Sequence, residues 1–172
     1  MSGQITTTDE TTLCQGVIEA EHYLIHHGRM WASGWTSQNI AAAGTSYFLM
    51  RTGDHEVHAA WQVEADKEVL VDLFENPTIT VDGAAQAVLN VDRDSAAVTG
   101  VTCFALATVG ALGTWLPDPH IIGDAASGGK VGGRARSATE WVFLEDEEYI
   151  LRVVTLAVNT RVNMVWRFYE EL

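Results

Sequence analysis

From Val57 to Val63 every second residue is apolar: Val57, Ala59, Trp61 and Val63 alternate with His58, Ala60 and Gln62. A period of two is the spacing of an extended chain that buries one face, and a helix cannot use it. The pattern recurs. In 45–53, Tyr47, Leu49 and Arg51 fall on one face and Phe48 and Met50 on the other. In the last third, Trp141 and Phe143 lead through an acidic turn at Asp146-Glu147 to Tyr149, Leu151 and Val153. After Asn159-Thr160, Val162, Met164, Trp166 and Phe168 oppose Arg161, Asn163, Val165, Arg167 and Tyr169. These runs predict strands.

Turn signals divide the strands. Asp66-Lys67-Glu68 predicts a hairpin joining 56–65 to 69–75. Pro77 excludes a central strand through that point, 78–81 reads as extended, and Asp82-Gly83 reads as a turn. The run 97–109 is β-branched, with Gly100 a candidate bulge and Cys103 in a strand core. Residues 16–28 fit a short helix and a strand equally well. About eight to ten short strands in 172 residues predict one all-β domain, a β-sandwich of the jelly-roll kind, over 16–172, preceded by a polar, Thr-rich arm over 1–15.

Charge limits the partners. With 23 acids against 10 bases the net charge is −13, a surface that repels nucleic-acid phosphates, so no direct nucleic-acid partner is expected. No apolar run approaches the ~18 residues of a membrane helix, and the polar start lacks the features of a signal peptide. A soluble, unexported chain with no membrane partner is the expectation. Cys14 and Cys103 are expected to be free thiols.

Candidate chemistry is sparse. Residues 123–137, "GDAASGGKVGGRARS", resemble a phosphate loop, but Asp124 stands where its first Gly belongs and Val131 where its hydroxyl belongs. The following residues lead into a strand rather than a helix, so nucleotide binding is not expected. His22 and His26 would share a face on a helix and could then hold one zinc; on a strand they would stand about 13 Å apart. The strand alternative predicts no metal. No G-x-S-x-G elbow is present, and the acid pairs fall at turns, so neither an enzyme nor a cofactor is expected. A metal-dependent cupin-like enzyme would need three of the histidines to converge.

Of six tryptophans, Trp61, Trp141 and Trp166 fall in strand registers and are assigned to the core. Trp31, Trp35 and Trp115 are candidate partner-binding anchors. Residues 110–138 read as one long irregular, Gly-rich contact loop, in which Lys130, Arg134 and Arg136 concentrate positive charge for an acidic partner.

The order "EHYLIHHGRMW", "VHAAWQVEADKEVLVDLFENPTIT", "LNVDRDS", a Gly-rich loop, "EWVFLEDEEYILRVVTLA" and a terminal "WRFYEEL" resembles head decoration, or capsid cement, proteins of tailed phages, from about residue 19 to the C-terminus. The resemblance implies a β-rich structural virion protein, often a homotrimer. Such a protein binds the capsid exterior where major capsid protein subunits meet and strengthens the shell. The alternative is a carbohydrate- or receptor-binding β-sandwich module of a phage tail or spike, which would expose Trp31, Trp35 or Trp115 together in a groove.

Overall fold

The computed structural model describes residues 4–8, 15–123, 133–137 and 140–170. Along the chain these form β1 (Gln4–Thr8), β2 (Gln15–Glu19), α1 (Ala20–His26), β3 (Met30–Ile40), β4 (Thr45–Arg51), β5 (Val57–Ala65), β6 (Val69–Glu75), β7 (Thr78–Val81) and β8 (Ala84–Gln86). There follow β9 (Val88–Asn90), β10 (Thr102–Ala105), β11 (Thr108–Ala111), β12 (Thr114–Ile122), β13 (Gly133–Arg136), β14 (Trp141–Phe143), β15 (Glu148–Thr155) and β16 (Thr160–Glu170).

Two antiparallel sheets carry the fold. One runs β13-β5-β16-β3-β9, with β14 also on β5; the other runs β12-β6-β15-β4-β10-β8. Leaving aside β1, β2 and the inserted β7–β11, successive strands alternate between the sheets except at β6 and β12, which are paired neighbours in one: β3, β5, β13 with β14, and β16 lie in one sheet, and β4, β6, β12 and β15 in the other. The resulting orders, β3-β16-β5-β13 and β4-β15-β6-β12, are those of a jelly roll.

This order corrects the predicted hairpin. β5 pairs with β16, β13 and β14, and β6 with β15 and β12, so Asp66-Lys67-Glu68 carries the chain across the sandwich. Residues 141–155 and 160–170 separate in the same way, because β15 pairs with β4 and β6 while β16 pairs with β3 and β5. Alternation reports which face is buried, and that face is the same for a hairpin and for a crossing corner.

Inward residues of both sheets fill the space between them. Val57, Ala59, Trp61 and Val63 face a core that also holds Phe48, Met50, Leu73, Leu151, Met164 and Trp166, each at most 1% exposed. Each such large side chain contributes roughly 1.5–3 kcal/mol through burial. The Phe143 and Tyr149 rings stack 3.7 Å apart, and the Tyr149 hydroxyl accepts the Leu144 N–H at 2.9 Å.

The insertion β7–β11 wraps onto the sheet containing β4. There β10 pairs with β4 and β8 with β10, while β9 joins β3 in the opposite sheet. The β7–β11 ribbon forms a second layer, with Ile79, Val109 and Leu112 packed with Leu49, Phe74 and Ile150. All four joints at its ends are left-handed: Asn76 and Gly113, Gly83 and Leu106. Arg51 ties the ribbon down, donating to both Asp82 carboxylate oxygens at 2.8 and 2.6 Å and to Glu148 at 2.6 Å. The Arg51 guanidinium holds the Asp82 carboxyl below its ordinary value.

Cys103 lies in β10 and is buried, as its apolar run predicts; Cys14 lies outside the described residues. Burial pushes the Cys103 thiol up to about 12. In a Cys14→Ser variant, the remaining thiol is expected to react with a disulfide reagent at pH 8 at least a hundredfold more slowly when folded than in denaturant. Comparable rates would place Cys103 outside the core.

Candidate interaction surface

β12 is the outer strand of its sheet. Pro117 and Pro119 occupy its middle, where the register with β6 slips between Leu116 and His120. An edge strand tolerates this because a missing N–H there costs no ladder bond, and the prolines also discourage a further strand from adding. On either side of the slip, Trp115 stands opposite Phe74 and Ile121 opposite Leu70. Trp115 is 48% exposed and Ile121 70%, so this edge presents two large apolar groups to solvent.

The slip also sets a polar fastening behind the edge. His120 stands opposite inward-facing Val71, with its Nε2 2.9 Å from Asp118 Oδ1 and its ring edge-on to Trp61 at 5.0 Å. The Trp141 indole N–H reaches the other Asp118 oxygen at 3.5 Å. β12 and β14 belong to different sheets, so Asp118 and Trp141 tie the two together along this side.

The predicted anchors separate. Trp31 is a correction: it is 2% exposed and stacks on Phe168 at 6.2 Å, because its parity on β3 turns it inward. Trp35 is half-buried against the same core, which leaves Trp115 as the exposed one of the three. They do not line one groove. The assignment of Trp61 and Trp166 to the core holds, and Trp141 packs against it half-buried.

The contact-loop expectation changes too. Residues 110–138 are not one irregular stretch, since β12 fills Thr114–Ile122 and β13 fills Gly133–Arg136. Arg134 and Arg136 are strand residues in register with Glu64 and Gln62. Lys130 lies outside the described residues, as do residues 124–132 of the phosphate-loop resemblance.

Residues 16–28 hold both a strand end, β2, and the helix α1. On α1 the His22 and His26 rings meet edge-on at 4.4 Å, which corrects the strand alternative for these histidines. His27 stacks on Tyr23 at 3.9 Å, and its Nδ1 lies 2.8 Å from the Tyr23 carbonyl. Among the described residues, no group of three or more His, Cys, Asp or Glu side chains is placed to hold a metal ion. No described helix is long and apolar enough to cross a membrane.

One cluster escaped the sequence reading. Glu140 Oε1 accepts the Tyr169 hydroxyl at 2.7 Å and lies 2.7 Å from His58 Nδ1, while the His58 and Tyr169 rings stack at 4.5 Å. The pairing of His58 with Tyr169 follows from the β5–β16 register, which no local spacing encodes. No protein-family model matches the chain, and no curated protein matches it.

Proposed function

We propose that the chain is a non-enzymatic structural protein of a tailed-phage head, bound to the outside of the capsid where major capsid protein subunits meet and self-associating there as a homotrimer. The observation that carries this reading is the exposed pair Trp115 and Ile121 on the rim of a jelly roll. Large apolar side chains held on a rigid strand are anchors for a protein surface. The space between the sheets is filled by the chain's own side chains, Trp61 and Trp166 among them, which directs function to the exterior. The acidic balance, −13, suits a protein that works beside packaged DNA without binding it.

Co-sedimentation with expanded, undecorated tailed-phage shells tests the proposal. Binding saturates at a fixed ratio to capsid subunits, and bound shells retain their DNA to higher temperature. A Trp115→Ala, Ile121→Ser variant, folded by circular dichroism, binds about tenfold or more weakly. Unsaturable binding, or tight and selective capture of a glycan instead, contradicts the proposal.

A further inference from the structure

β16 runs down the middle of its sheet between β3 and β5, and its outward series is Arg161, Asn163, Val165, Arg167 and Tyr169. Of the seven cations whose side chains are described, four are engaged. Arg51 is held by Asp82 and Glu148 and Arg152 by Asp72, Lys67 donates to the Val158 carbonyl, and Arg93 reaches the Asn90 carbonyl at 3.4 Å. Among the described residues the side chains of Arg29, Arg161 and Arg167 have no such partner and are exposed, and the last two share the outer face of β16.

Their surroundings leave them available. Arg167 stands opposite Ala32 on one side and Ala60 on the other, so neither residue directly across from it is a carboxylate or long enough to cover it. Three carboxylates on this side of the sheet have other hydrogen-bond partners among the described residues. Glu140 is taken by Tyr169 and His58, Glu64 accepts the Gln62 amide at 3.0 Å, and Asp66 accepts the Arg161 backbone N–H at 2.7 Å. β13 brings Arg134 and Arg136 into register with Glu64 and Gln62, so the same sheet gathers four of the chain's ten bases on two strands.

We infer that the outer face of β16, centred on Arg161 and Arg167, docks onto an acidic protein surface, and that this surface is the exterior of the capsid shell. The inference rests on the proposed function and adds a charged face to the apolar rim at Trp115 and Ile121. Charge complementarity is its basis: a protein of net charge −13 is repelled by an acidic surface except where its unpaired cations concentrate, so that face selects the orientation of encounter.

The test compares the parent with an Arg161→Glu, Arg167→Glu double variant and with an Arg93→Glu control. Unchanged circular dichroism and melting establish that each is folded. In co-sedimentation with undecorated shells the double variant is expected to bind about tenfold or more weakly at low salt, with the gap narrowing at high salt, while the control stays within about twofold. A double variant that binds as the parent does overturns the face while leaving the proposed function standing. If the parent itself fails to bind shells, the proposed function falls and the face is read by nuclear magnetic resonance titration with poly-L-glutamate. Shifts concentrated at Val165, Arg167 and Ala60 uphold an acidic-protein face, and shifts elsewhere or none overturn it. Equal shifts with duplex DNA overturn the protein partner. Self-association that the double variant abolishes overturns the capsid surface in favour of a second copy.

Discussion

Replacing Trp166 by alanine is expected to destabilise the folded chain by about 3–5 kcal/mol, among the largest effects of any single substitution. Trp166 is fully buried on the central strand β16, with its ring 6.4 Å from Phe48 and 5.8 Å from Phe143. Phe48 belongs to the opposite sheet, so the truncation opens a cavity between the layers and loses contacts from both. Its indole N–H has no hydrogen-bond partner among the described residues. Trp166→Phe therefore removes an unsatisfied donor along with volume, and should cost less than half as much. Urea denaturation of the two variants measures both effects. A loss below about 1 kcal/mol for the alanine variant would place Trp166 outside a packed core.

The second large effect is expected at Gly113. Its φ is +79°, and a Cβ there would lie 2.1 Å from the Glu75 carbonyl oxygen and 2.5 Å from that of Asn76. Valine is strained in this backbone region and collides with backbone that cannot yield. The expected loss is about 3 kcal/mol or more. Because Gly113 joins the ribbon strand β11 to the edge strand β12, the damage should concentrate in the second layer. Amides of β7 and β11 should exchange faster than those of β5 and β16. Gly110→Ala is the internal comparison: it lies in the same ribbon, lacks a positive φ, and its Cβ would meet Thr80 Cγ2 at 3.4 Å. It should cost under about 1 kcal/mol. Equal losses at the two positions would contradict the corner geometry.

Much of this architecture is written in local alternation. The inward sets Val57–Val63 and Val162–Phe168 are each legible from six or seven residues, because side chains of an extended chain must alternate. Partnership between strands is not local. The Asp66–Glu68 link suits a hairpin and a sheet-to-sheet corner alike, and the choice depends on β15 and β16, which begin 80 and 92 residues after Glu68, filling the places beside β6 and β5. β12 was hidden for another reason. Pro117 and Pro119 argue against a strand wherever the ladder needs every N–H, and only its position at a sheet edge, with a register slip, removes the objection.

The surface was less legible than the core. Trp31 and Trp115 are the same residue type near turn signals, yet strand parity turns the first onto Phe168 while edge position exposes the second. Arg161 and Arg167 were visible as the polar half of an alternating strand. Their availability depends on Ala32 and Ala60 flanking Arg167 across two register pairs, and on where the carboxylates of that side are engaged.

The most direct test of the proposed role is a density map of an intact tailed-phage head assembled with this protein. The account predicts jelly-roll density outside the shell, repeated at sites where major capsid subunits meet, with β16 facing the capsid surface. A head whose outer surface carries no such density, or a map that places the jelly roll on the tail or a spike, would contradict it.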